Sequence, residues 1–127
     1  MTPRANLLKV PAESHIDRVR RLAIALPGVS EKLSHGEPTF FVAKRAFVMF
    51  ANNHHSDGHT AIWIPAEPGA QAEMIAEAPE TYFKPPYVGV KGWVGVELTQ
   101  INEPILADLI RKAWQITAPR ALLRPRR

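Results

Sequence analysis

Histidines crowd into one short stretch of this chain. Asn53-His54-His55-Ser56-Asp57-Gly58-His59 is the one place where metal-ligand residue types cluster. Neighbouring residues of an extended chain point to opposite sides, so His54 and His55 would not both reach one ion. One of them with Asp57 and His59 would make a three-ligand site with an open position. That spacing matches no established metal motif. A solvated turn in which Asp57-Gly58 supplies the bend is the simpler reading and is preferred.

Other titratable groups lack recognisable partners. His35 and Glu37 flank Gly36, and His15 falls in the first turn of a helix, but neither placement forms an acid–base pattern. No Gly-rich phosphate loop, nucleophile elbow or HExxH occurs. Gly89, Gly92 and Gly95 are spaced like part of a dinucleotide loop, yet they lead into a strand rather than open a helix. The chain has no cysteine, which removes thiol nucleophiles, disulfides and Cys-ligated zinc. The sequence therefore reads as non-enzymatic, with no cofactor implied.

Aromatic and basic residues offer a second chemistry. In Trp93–Leu98, Val94, Val96 and Leu98 share one strand face, and Trp93, Gly95 and Glu97 share the other. In Thr60–Ile64, Ile62 and Ile64 oppose Ala61 and Trp63. If helices cover the Val and Ile face, Trp63 and Trp93 lie on the less covered one, where Phe40 or Phe41 and Tyr87 could join them. Beside Lys44, Arg45, Lys84 and Lys91, such rings would stack bases while the cations hold phosphates. The plainer alternative, a second small core or a dimer contact, is preferred for the rings taken alone.

The elements that must position these residues follow from periodicity. Ser14 with Asp17 marks a helix start, and Ile16, Val19, Ala23 and Leu26 recur at helical spacing until Pro27-Gly28. Ser30 to Glu37 reads as a polar connection. Thr39–Val42 and Ala46–Ala51 form a hairpin around Ala43-Lys44-Arg45, and Asn52–His59 leads to the strand Thr60–Ile64. Gly69–Ala78 reads as a short helix with Ile75 buried. Tyr82–Lys84 and Trp93–Leu98 are two further strands, joined by the loop Pro85–Gly92. Asn102 caps a last helix, with Pro104 in its first turn and Leu106, Leu109, Ile110 and Ala113 as its stripe, ending at Pro119. The expected fold is two-layer α+β, with a five-stranded antiparallel sheet in the order α-β(3)-α-β(2)-α.

The 127 residues suit one domain, expected to span 1–118 with a basic tail over 119–127. Of 16 basic residues four, Arg120, Arg124, Arg126 and Arg127, sit in the last ten, and the rest balance the 12 acidic ones. The pI of 9.8 is thus a property of the tail, not of a uniformly positive body. MTPRANLLKVPAESH lacks the continuous apolar core of a signal peptide, and no apolar run approaches a membrane span, so the expectation is a cytoplasmic protein.

Several stretches in fixed order resemble the MmcQ/YjbR family of small bacterial proteins: ALPGVSEK, GEPTFFVAKRAFVMF, ANNHHSDGHTAIWI, ETYFKPPYVGVKGWVGVEL and AWQITAPRAL. PPYVGVKGWVGVEL is the most distinctive. The resemblance implies a YjbR-like fold, similar to that of type III secretion chaperones. Members are commonly labelled DNA-binding, through a "double wing" similarity in which sheet loops flank nucleic acid. The family brings no catalytic residues. The leading expectation is therefore weak, sequence-tolerant binding of DNA or RNA. Lys44, Arg45, Lys84 and Lys91 would contact phosphates, Trp93 and Tyr87 would lie beside the bases, and Arg120, Arg124, Arg126 and Arg127 would add attraction. The alternatives are a protein-interaction module and a small-molecule or metal-binding protein using the region of Trp63, the histidine loop and Tyr87. Monomer and homodimer are both left open.

Overall fold

Ser14 opens the first helix as its side chain predicts, its hydroxyl accepting from the Asp17 amide at 3.1 Å. A computed structural model of the chain describes residues 12–123; Arg124, Arg126 and Arg127 lie outside them. Helix α1 is His15–Ile24, and it turns Val19 and Ala23 fully inward. Helix α3, Glu103–Thr117, starts where the Asn102 side chain accepts from the Ile105 amide. It buries Leu106, Ile110, Ala113, Trp114 and Thr117, and the Trp114 indole donates to the Pro27 carbonyl at 2.9 Å. Helix α2, Ala70–Glu77, is the loosest. Met74 reaches the core, while Ile75, expected to be buried, is only half covered.

The α+β architecture stands, but the antiparallel sheet has six strands where five are expected, in the spatial order β1-β2-β3-β4-β6-β5. The added strand is β1, Val29–Ser34, which reads as a polar connection because it is an edge strand carrying Ser, Glu and Lys. Strands β2, Glu37–Val42, and β3, Arg45–Asn52, follow. The remaining strands are β4, Thr60–Ile64, β5, Tyr82–Phe83, and β6, Val94–Glu97. One sheet face, with Phe40, Val48, Phe50, Ile62, Ile64, Val94 and Val96, packs against α1 and α3. A register shift between Phe40 and Phe41 leaves Phe47 as an extra residue, so Phe47 and Val48 both enter the core. Helix α4, Arg120–Leu123, rests Leu122 on this layer beside Gly28 and Val42.

Several basic residues of the helix layer are tied to acids. Arg20 grips Glu31 of β1 with two hydrogen bonds of 2.7 and 2.8 Å, and Arg21 bridges Glu13 and Glu103. Arg111 and Lys112 share Asp108.

The first two hairpins of the sheet close in two residues, tighter than the three expected around Lys44. His35-Gly36 joins β1 to β2 and Ala43-Lys44 joins β2 to β3, and all four residues have positive φ. Such turns match the twist of the strands but disfavour residues with a Cβ. Replacing the second turn by its preferred residues, Ala43→Asn with Lys44→Gly, is expected to raise stability by about 1 kcal/mol, or roughly 3–5 °C in Tm. An unchanged or lower Tm in a thermal melt contradicts this turn geometry.

Candidate ligand-binding site

The face of the sheet that carries no helix is built on one cross-strand row. Lys32, Thr39, Met49, Trp63, Gly95 and Phe83 stand opposite one another, one from each strand. Gly95 is required in this row, because a Cβ there would collide with the Phe83 ring lying across it. The ring of Phe83 in turn stacks on His59, with centroids 3.9 Å apart and planes within 6°. At the outer edge Lys32 leaves the row and sits over the Phe41 ring.

Between the two ends of this row lies a cavity of about 650 Å³, floored by Thr39, Met49, Ala51 and Trp63. Its size falls in the range of about 300–1,000 Å³ typical of small-molecule sites. Thr39 and Ala51 are short beside the indole, which is where the space comes from. One wall is the histidine loop, through His54 and His55, and the other is Tyr87 with Val88. Ser34, His35 and Glu37, at the first hairpin, form the rim.

Two buried polar atoms of residues that line this cavity are unpaired. Trp63 is only 6% exposed, yet its Nε1 has no hydrogen-bond partner among the described residues, and neither has the buried Nε2 of His54. Leaving a buried donor unsatisfied costs roughly 1–3 kcal/mol. The Trp114 indole, by contrast, is bonded to Pro27. His54 stands edge-on to both Trp63 and Tyr87, at ring distances of 5.1 and 5.7 Å.

The walls are held in strained backbone. Asn53, His55 and Ser56 all have positive φ. Tyr87, at φ 63 and ψ −65, is the centre of a γ-turn of the rare hand, closed by the Val88 amide on the Pro86 carbonyl at 2.6 Å. Strain of this kind costs about 1–3 kcal/mol per residue and persists only where the surroundings enforce it. Here they do. The Asn53 amide donates to the His59 carbonyl, the Asn53 side chain accepts from Gly58, and Asp57 accepts from the His59 amide. His55 Nε2 and the Tyr87 hydroxyl, 3.2 Å apart, hydrogen-bond the two walls together.

Glu97 anchors the far end of the histidine loop. Its carboxylate, 8% exposed as a residue, accepts from His59 Nδ1 at 2.8 Å and from the hydroxyl and amide of Thr99. Burial pushes this carboxyl up, and the hydrogen bonds from His59 and Thr99 outweigh it, so it ionises below the ordinary carboxylate range. These attachments separate the proposed metal ligands. His54 and His55 face Trp63 and Tyr87, Asp57 turns back on its own loop, and His59 is held by Glu97. No group of three His, Asp or Glu among the described residues is placed to hold a metal.

Of the residues expected to meet nucleic acid, the cavity gathers Tyr87 alone. Lys44 and Arg45 stand at the start of β3, and the cavity floor begins at Met49 and ends at Ala51, roughly 13–20 Å of strand away at about 3.3 Å per residue. Lys84 lays its stem over Gly89, Lys91 lies exposed before Gly92, and Arg120 is exposed on α4. Trp93 precedes β6 and is half-buried, its carbonyl accepting from Gln71, which also binds Gly89. Sequence reasoning brought Trp63, the histidine loop and Tyr87 together but missed Thr39, Met49 and Glu37. Pairing the two hairpins in register would have found the first two, since Thr39, Met49 and Trp63 fall in line.

A family model described as YjbR matches residues 24–116. Among solved structures, the crystal structure of Deinococcus radiodurans protein DR2400, with a DUF419 domain, is similar to this chain at a TM-score of 0.68 and 17% identity. The similarity covers 83% of this chain and 81% of that one, and at this identity it shows the fold. A search of curated proteins finds no match.

Because the Glu97 carboxyl is depressed in the folded state, its contribution is complete above the ordinary carboxylate range and is lost as pH falls through and below it. Glu97→Gln is expected to cost about 1–2 kcal/mol at pH 7. Its urea stability should also fall less between pH 5 and pH 3 than that of the unaltered protein. Parallel pH curves for the two would show that the His59 attachment does not carry this energy.

Proposed function

The chain belongs to the YjbR family, and from that premise we propose that it is a binding protein whose helix-free sheet face holds a small organic molecule. The observation that carries this reading is a largely apolar cavity of ligand size on that face, floored by Thr39, Met49, Ala51 and Trp63. A second small core would fill such a space with side chains. Loop strain concentrated at Tyr87 and His55, the residues that meet across the cavity, supports the same reading.

The test is a thermal-shift screen of small organic molecules on the unaltered protein, Trp63→Phe and Ala51→Leu. At least one compound class should stabilise the unaltered protein, by about 2.7 kcal/mol at a hundredfold excess over Kd. Both substitutions should abolish or sharply weaken the effect, one by removing the indole surface and the other by filling the floor. Stabilisation that survives both substitutions, or none in any class, contradicts the reading.

A second reading, weak binding of DNA or RNA, is favoured by a different observation. Lys44, Arg45, Lys84, Lys91 and Arg120 make no ion pair among the described residues, whereas Arg20, Arg21, Arg111 and Lys112 are all paired. Cations left unpaired on exposed turns are available to phosphate. Affinity for an oligonucleotide should then fall at least tenfold from 50 to 200 mM salt. A variant ending at Leu123, which keeps Leu122 on the core, reports the share due to the last arginines. No retention at 50 mM salt excludes this second reading.

A further inference from the structure

What the cavity can hold is decided by one residue on its rim, and this rests on the reading of the cavity as a binding site. Glu37 is the one formally charged residue that lines it, and no lysine or arginine does. Residues two apart on a strand share a face, so Glu37 stands on the helix-free side with Thr39. Ser34 is opposite Glu37 in register and shares that side. Lys32, the cation of the next row, leans the other way along the strand, its Nζ 5.0 Å from the centre of the Phe41 ring. Glu37 makes no ion pair among the described residues.

The carboxylate is held in place without being used up. Its Oε2 accepts from the Asn52 amide at 3.1 Å, which fixes the side chain against the end of β3. The other oxygen makes no hydrogen bond among the described residues and is not a buried atom, so solvent reaches it. Across the strand pair the Ser34 hydroxyl, 3.2 Å from His35 Nδ1, retains acceptor capacity. The rest of the lining is largely apolar, through Met49, Ala51 and Val88. A ligand that suits both parts carries an apolar body and a group rich in N–H donors. An ammonium brings three donors and the opposite charge. An anion meets a like charge, and a neutral hydroxyl gains a weaker hydrogen bond than a charged donor does. The cavity is open to water, so the charge sets a preference and not the bulk of the affinity.

We infer that the cavity takes a small organic cation, a primary ammonium carried on an apolar body. The ammonium donates to the free oxygen of Glu37 and to Ser34, and the body lies over Met49 and Ala51. Glu37 is the specificity determinant, and burial of the apolar body supplies most of the affinity.

The experiment is calorimetric titration of the full chain at pH 8, where free imidazole is neutral and an alkylammonium is charged. The probes form two matched sets: phenethylamine, phenethyl alcohol and phenylpropionate, and hexylamine, hexanol and hexanoate. In at least one set the amine should bind about fivefold or more tighter than the alcohol, with the carboxylate weakest. Glu37→Gln, which keeps an acceptor for the Asn52 amide, should bring the amine down to the level of the alcohol and leave the alcohol unchanged. Ala51→Leu should abolish binding of both. An alcohol that binds as tightly as its amine in both sets overturns the inference, and this comparison needs no variant to fold. A preference for the amine that survives in Glu37→Gln overturns it equally. If the amines fail while another compound class is lost on Ala51→Leu, the ligand class is overturned and the cavity stands as a binding site. If no compound of any kind is lost on filling the cavity, the inference falls together with the reading on which it rests.

Discussion

A sheet has two faces, and in this protein helices cover only one. The apolar row Phe50, Ile62 and Val96 is sealed by α1 and α3, with Leu106 and Ile110 fully buried above it. The opposite row, with Met49, Trp63 and Gly95, has no helix to bury it. An indole left open on such a face would be an exposed apolar patch. The protein covers it instead with two loops and one aromatic ring, and everything distinctive about the molecule follows from how that cover is made.

Loops are poor covers, because their backbone groups need partners and their positions need enforcement. The histidine loop solves the first problem internally, through Asn53 and Asp57 accepting from its own amides. The second is solved by attachment. Glu97 holds His59, Phe83 stacks on the same ring, and Gln71 of α2 ties Gly89 and Trp93 of the Pro/Gly loop. The resulting cover leaves Trp63 almost wholly buried, yet an unfilled cavity remains beside it. A cover intended only to exclude water would have put a side chain there.

Much of this was legible in the sequence, for identifiable reasons. The caps at Ser14 and Asn102, the buried face of β6 and the side of the sheet on which Trp63 lies all follow from local chemistry and strand alternation. Strand β1 was not legible, since an edge strand with few apolar residues looks like a loop until its neighbour is known. Trp93, expected on the open face by strand alternation, stands one residue before β6, is half-buried and does not line the cavity. The cavity itself depends on Asn53, His55, Ser56 and Tyr87 adopting positive φ. Of these Asn53 and His55 are residue types enriched in that conformation, and Ser56 and Tyr87 are not. The family resemblance led correctly to the YjbR fold, and of the cations expected to meet phosphate, Lys44 and Arg45 stand at the β2–β3 turn while Lys84 and Lys91 flank the Pro/Gly loop.

The central claim is that the unfilled space beside Trp63 is a ligand site. It is tested most directly by following the indole N–H resonances of Trp63, Trp93 and Trp114 in a ¹⁵N-labelled sample during titration with a bound small molecule. The Trp63 signal should shift as the ligand fills the space beside its ring, while Trp114, bonded to Pro27 in the helix layer, stays in place. A titration in which Trp63 does not move, or moves no more than Trp114, would contradict it.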